Sequence, residues 1–557
     1  MNATSLRDPR LVMRLSRLGS MHQCRLSFMR VLTRRMAEEN WSFARPKFDI
    51  DENGVGHAVY VAQGPERAYS LVAFAHDLPP EMRSDRVIAT AWDATFTLFD
   101  GIPTEDDIVR LSQNVPYQEA GRVTEKELSV SRANRSVRLW EHFVDALSRG
   151  HQPDADKIEA VGYLMRTTAV YGSGKLGASD YGAISDRPEF AVPFQVEMLS
   201  VFLTRAFVRD LVNHMAQMRG GDSAVAMSRE IAHGLGIGNS TGLGLGPFII
   251  NHPLLFNNWI MAREEAIARV RSVETVSQEE RNQFHEVLQR SLISVSRWKS
   301  EHPVQIERLT ALRADIDLLK QHLANGALDT TFPWDKLVTW SEQELSEEGQ
   351  EYVASLILEP YSDLVDDLAS SMSDIDPDTF RIDGSLSVDE MRALIEARFG
   401  WALNLDWGAT ENCARAWYVS AEKLEPRVGE RFEEPISQFE IPLAPARDAV
   451  AAHAELRNWE GTKPIAEFLL RHPEHRHTIR RAQIGANAPY SEINDNTISS
   501  ELFPVDLLRV KLAFFGATQF SPRSDRWVRI CMYGNAPYPE DLTNSDADLW
   551  VYPEVTA

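Results

Sequence analysis

Strand-like alternation in this chain is confined to residues 46–102 and to the tail after Arg480. The long stretch between, from about Ala133 to Leu456, repeats its apolar residues at helical spacing. This segregation argues against a βαβ chain wrapped around a parallel sheet, because that architecture needs strands and helices in strict turn. It predicts an α+β fold: a mainly α-helical central body, a small N-terminal antiparallel sheet and a mixed C-terminal segment.

Within 46–102 the stretches 57–62 (HAVYVA), 69–78 (YSLVAFAHDL) and 86–101 (RVIATAWDATFTLFDG) are separated by glycine and proline turns, which reads as antiparallel strands. Pro103, Thr104, Glu105 and Asp106 then look like a helix start. The clearest helices are predicted at 134–149, 192–219, 255–272, 277–299, 301–324 and 342–371, with connections short enough for antiparallel bundle packing. In the tail, Trp527 to Tyr533 alternates like a strand and must pair with something, since an isolated strand is not stable. A chain of 557 residues exceeds what one core of roughly 250–300 residues serves. The expected division is 1–45, a basic amphipathic helical segment; 46–130, a small α+β unit; 131–460, a helical body with glycine-rich loops; and 461–557, a mixed segment.

Charge is spread unevenly. Residues 1–42 carry eight arginines against Asp8, Glu38 and Glu39, a local balance of +5 in a chain whose net charge is −23. So acidic a body repels phosphate backbones and anionic lipid at long range, so neither nucleic acid nor membrane is expected as a partner. The basic segment, with apolar residues from Leu11 to Leu32 near helical spacing, is expected to lie on the acidic body or on a sister subunit. Homo-oligomer formation therefore stays open. Cys24, Cys413 and Cys531 are too few and too far apart for a disulfide framework, and no apolar run reaches roughly 18 residues. A reduced, cytoplasmic setting fits best.

Two glycine-rich stretches stand out. The first runs from Tyr171 to Gly177, and its Gly172, Gly174 and Gly177 satisfy GxGxxG. A dinucleotide fingerprint needs a strand before and a helix directly after. Here the lead-in, 158–168, reads as helix and the sequel reads as loop. The P-loop pattern also fails, because Ala169 stands where the first glycine should be and Leu176 replaces the hydroxyl residue after Lys175. The second stretch, Gly234 to Gly246, holds six glycines between two predicted helices, which implies close backbone approach or left-handed conformations. Its interleaved apolar residues imply burial, so Asn239, Ser240 and Thr241 need internal partners, from the backbone or from a ligand.

Metal patterns are thinner. Glu230 and His233 have ExxH spacing and Asp210 lies one turn from His214, but the second half of a di-iron set is missing. His472, His475 and His477 sit in a charged turn and read as solvated side chains, as do the charges from Glu422 to Arg431. No metal ligand and no cofactor is assigned. The polar loop from Asn487 to Asn496 is a better site candidate, with Tyr490 and Glu492 as an acid and base if a pocket shifts their pKa values.

These residues predict an enzyme that holds an anionic small molecule, a carboxylate or phosphate, where the two glycine-rich stretches meet. Arg166, Gly172, Ser173, Gly174, Asn239, Ser240 and Thr241 would bind it. Lys175, Tyr171, Asp180, Tyr490 and Glu492 would carry acid–base chemistry of elimination, hydrolysis or acyl-transfer type. The rival readings are a non-catalytic helical scaffold or adaptor, whose glycines only serve packing, and a dinucleotide-dependent oxidoreductase.

Overall fold

The computed structural model describes residues 5–14, 16–82, 91–117, 122–167, 184, 186–241, 252–298, 300, 303–372, 382–407, 415–419, 424–428, 440–442, 444–492, 509–522, 528–543 and 546–553. Twelve strands are formed among them: β1 (Ser42–Ile50), β2 (Gly56–Gln63), β3 (Ala68–Ala75), β4 (Ala94–Asp100), β5 (Glu127–Arg135), β6 (Tyr163–Thr167), β7 (Gly236–Thr241), β8 (Arg415–Val419), β9 (Leu424–Val428), β10 (Glu440–Pro442), β11 (Gln519–Pro522) and β12 (Val528–Met532). The helices used below are α1 (Phe28–Glu38), α2 (Glu105–Ser112), α3 (Trp140–Ser148), α4 (Gln195–Gly220), α5 (Pro253–Arg271), α6 (Gln278–Arg297), α7 (Pro303–Ala324), α8 (Pro333–Glu344), α9 (Glu347–Leu356), α10 (Val388–Leu403), α11 (Ala444–Leu456), α12 (Ile465–Arg471) and α13 (Arg476–Asn487).

The expectation of a small N-terminal sheet is overturned. Nine strands form one mixed sheet in the order β1-β2-β3-β4-β5-β6-β7-β12-β11, and the C-terminal hairpin β11–β12 completes it by pairing antiparallel with β7. The class remains α+β, since all neighbours are antiparallel except β6 and β7. The missed strands lack a readable pattern. β6 (YLMRT) is too short for periodicity to assign, and five of the six residues of β7 (GIGNST) are glycine or small and polar. Residues 163–167, expected to be helical, are β6, and residues 134–135, expected to begin a helix, end β5. The predicted 342–371 helix is broken into α8, α9 and shorter turns.

Alternation along the meander sorts side chains onto two faces. Tyr60, Leu71, Ala73, Phe96 and Leu98 enter the main core, which α4 covers by crossing β2 through β7. Val59, Val61, Val72, Phe74, Phe99 and Val130 point the other way onto Ile108 and Leu111 of α2. Thr104 starts α2 with a reciprocal capping box to Asp107, as the sequence suggested. α4 is buried on all sides through Val208, its polar members Glu197 and Arg205 included.

Five of the eight arginines of the basic N-terminal segment, Arg7, Arg17, Arg25, Arg30 and Arg34, are buried inside the protein. Arg7 holds Glu264 at 2.7 Å and Glu351 at 2.9 Å, and Arg263 adds a 2.6 Å contact to Glu351. Arg25, Arg30 and Arg34 converge on Asp548, and Arg25 and Arg34 also reach Asp366. A second core, separate from the main one, is built by α10, α11, α12 and α13 around Ile395, Phe399, Leu456, Ile465, Phe468 and Ile479. No helix among the described residues is long and apolar enough to cross a membrane.

Candidate functional site

β6 and β7 are the one parallel pair in the large sheet, with Tyr163 opposite Gly236 and Arg166 opposite Gly238. Parallel neighbours require a crossover, and the connection between them includes α4. Parallel pairing has a direct consequence: both strands run toward the same edge, where Thr167 lies beside Asn239 and β7 continues two residues further to Thr241. The strand β12 begins at this edge too, since Val528 pairs with Thr241.

The two glycines of β7 make the close approach feasible. A Cβ at Gly236 would lie 2.2 Å from the Met532 carbonyl oxygen, and one at Gly238 would lie 2.7 Å from the Tyr163 ring. These residues therefore form strand instead of the expected turn, and their lack of side chains admits β12 on one side and an aromatic ring on the other. Arg205 of α4 fixes the start of β7 from below, donating to the carbonyls of Leu235 and Ala536, each at 2.7 Å.

At the far end of β7, Asn239 is buried. Its Nδ2 donates to the Thr167 carbonyl at 3.1 Å, and its Oδ1 accepts from Lys511 Nζ at 3.0 Å. The internal partners that Asn239 was expected to need are thus the β6 backbone and a lysine 272 positions later. Lys511 is 1% exposed and opens a π-helical turn, Lys511–Phe515. Such turns are rare and concentrate at functional positions. The turn is anchored by Phe514 on Trp259 at 4.3 Å and by Phe515 on Phe194 at 4.7 Å and Phe28 at 5.2 Å. Burial pushes the Lys511 amine well below the usual lysine range, because an ammonium ion is poorly solvated there. An amine so depressed can take up a proton or add to a carbonyl carbon. The sequence reading missed Lys511, although one lysine inside the apolar run Val510 to Phe515 was a signal that it must be buried.

Of the other predicted residues, Arg166 is buried on β6, and Ser240 and Thr241 lie on β7 opposite Arg529 and Val528. Tyr171, Gly172, Ser173, Gly174, Lys175 and Asp180 lie outside the described residues. Tyr490 is buried elsewhere: its hydroxyl donates to the Arg7 carbonyl at 2.7 Å and its backbone N–H to Asn257 Oδ1 at 2.9 Å, so it holds the N-terminal segment against α5. Glu492 is paired with Arg481 at 2.9 Å. Burial raises both pKa values, against the opposing charges of Arg481 and Arg398 in the case of Glu492. Among the described contacts, none joins Tyr490 or Glu492 to the β6–β7 edge. The ExxH pairing also dissolves, since His233 contacts Asp541, Asp210 accepts from Arg45 and Tyr60, and His214 bonds the Asp51 carbonyl.

A cavity of about 620 Å³ opens between Asn53, Asp77, Pro79, Arg135, Met215 and Met218. None of the described residues picked from the sequence lines it. The chain matches no protein family, no curated protein and no solved structure.

Proposed function

We propose that the chain is an enzyme acting on an anionic small molecule, a carboxylate or a phosphate, at the edge where β6 and β7 end. The observation that most supports this is their parallel pairing, which starts both glycine-bearing connections beside the buried Lys511–Asn239 pair. Ligands of sheets with parallel strands gather at the carboxyl ends, where connections diverge. In this reading Arg166 and Lys175 balance the ligand's charge, and the backbone N–H groups of Gly172, Ser173 and Gly174 donate to its oxygens. Lys511, whose charged form burial disfavours, accepts or returns a proton, with Tyr171 and Asp180 as partners in elimination, hydrolysis or acyl transfer. The protein would work in the cytoplasm without nucleic-acid or membrane partners, as a single chain or a homo-oligomer.

Thermal melting in inorganic phosphate, pyrophosphate and succinate tests the proposal. A bound anion at a hundred times its Kd stabilises by about 2.7 kcal/mol. The wild-type melting temperature should rise with at least one of these anions, and Lys175→Ala should abolish the rise while melting normally without ligand. Equal melting in all three, or an unchanged rise in Lys175→Ala, would leave the scaffold reading in possession.

A further inference from the structure

We propose that His472, Glu474 and His475 form a binding site for a divalent transition-metal ion of the zinc class. The three sit where α12 gives way to α13 through the single turn Pro473–His475. Their ligand atoms all lie within 4.8 Å of one another, and they are the one group of three or more such ligands so placed among the described residues. His472 Nδ1 is 3.2 Å from Glu474 Oε1. Donors bound at 2.0–2.1 Å around a tetrahedral ion stand about 3.3 Å apart, so this pair is already at the required separation.

What distinguishes the trio from solvated histidines is how the rings are held. The sequence reading placed His472, His475 and His477 together in water. In the structure His475 is 8% exposed, and both His472 and His475 stack on one residue of the second core, Phe468, at 4.8 Å and 5.8 Å with interplanar angles of 20° and 11°. Trp459 closes on His472 edge-on at 6.0 Å. Phe468 is fully buried, so the rings inherit the rigidity of the core beneath them. Much of the entropy cost of ordering two imidazoles is therefore met by folding, before any ion arrives. Two neutral imidazoles and one carboxylate suit zinc, cobalt or nickel better than magnesium or calcium, which prefer oxygen donors. Three side chains leave a fourth tetrahedral position to water or another ligand. His477 lies two residues further, on α13, and contacts Arg476 Nε at 3.2 Å. Successive helical positions two apart face nearly opposite directions, which makes it a natural control.

The test is titration of the full-length, chelator-treated protein with Co²⁺, followed by visible absorption and by competition with Zn²⁺. One Co²⁺ per chain with a tetrahedral spectrum, displaced by Zn²⁺, is the expected result. His472→Ala and His475→Ala should each weaken binding by more than about tenfold, the loss that even outer partners of a metal site produce. His477→Ala should bind as the wild type does. If His475→Ala fails to fold, the partly exposed positions decide through His472→Ala and Glu474→Gln. Failure of the wild type to take up metal, or uptake that survives His472→Ala, overturns the site.

Discussion

Arg30 and Glu359 meet through two parallel hydrogen bonds of 2.7 and 2.8 Å across 329 positions of chain, both side chains almost wholly withdrawn from solvent. Tyr552 donates to the same carboxylate at 2.8 Å, so it accepts from His22 Nε2 at 3.0 Å, which puts a proton on that nitrogen. N-terminus, helical body and C-terminus are thus joined at one buried point. Removing one member leaves the other charge uncompensated. Arg30→Met should cost about 3–5 kcal/mol in urea unfolding, and adding Glu359→Met should recover part of the loss. A double variant no more stable than the single one would show that the pair is not an isolated unit.

Two separate buried charge clusters set an acid sensitivity with two windows, one at His22 beside Arg30 and Glu359 and one at Glu351 among Arg7, Arg17 and Arg263. Burial lowers the His22 pKa from 6.5 to about 4, the nearby Arg30 charge adding to it against Glu359. The unfolded chain therefore binds a proton that the folded one refuses, and stability is lost as pH falls from about 6.5 to about 4. The loss is on the order of 3 kcal/mol. For Glu351, burial acts upward, but the guanidiniums of Arg7, Arg263 and Arg17 outweigh it and hold the carboxyl at about 2. Its contribution is complete above 4.5 and fades towards pH 2. Melting temperature against pH should fall through both windows, and His22→Gln should flatten only the upper one.

Gly236 and Gly238 should respond differently to the same methyl group. At Gly238 the obstacle is the Tyr163 ring, and at Gly236 it is the Met532 backbone carbonyl. Each alanine should destabilise by about 1–3 kcal/mol or more through overpacking. Tyr163→Val should rescue Gly238→Ala and leave Gly236→Ala unrescued, as measured by thermal denaturation.

The second core should loosen on its own. Ile395→Ala removes a fully buried side chain of the α10–α13 cluster, at a cost of about 2–5 kcal/mol. Hydrogen exchange should quicken across α10, α12 and α13 while the amides of β2, β3 and β4 keep their protection. Equal quickening in the sheet would show that the two cores unfold together.

Periodicity alone determined what local physics can encode. The meander of β2, β3 and β4, the capped start of α2 and the separate runs of α4, α5, α6 and α7 follow from side-chain spacing and end signals within a few residues of each element. The surplus of arginines before Trp41 in an acidic chain likewise foretold that these charges need partners. Which partners was another matter. Glu264, Glu351, Glu359 and Asp548 lie hundreds of positions away and are, in sequence, four among 81 acidic residues. The sheet's true extent was hidden for the same reason: β7 has no alternation of its own and exists because β6 and β12 flank it, its glycines selected by what they must not touch. Lys511 and Asn239 gain their chemistry from burial, which no window of sequence measures, and His472 and His475 from a phenylalanine ring beneath them. Spacing is a property of neighbours along the chain, whereas desolvation and ion pairing are properties of neighbours in space, and only the closed tertiary structure supplies those.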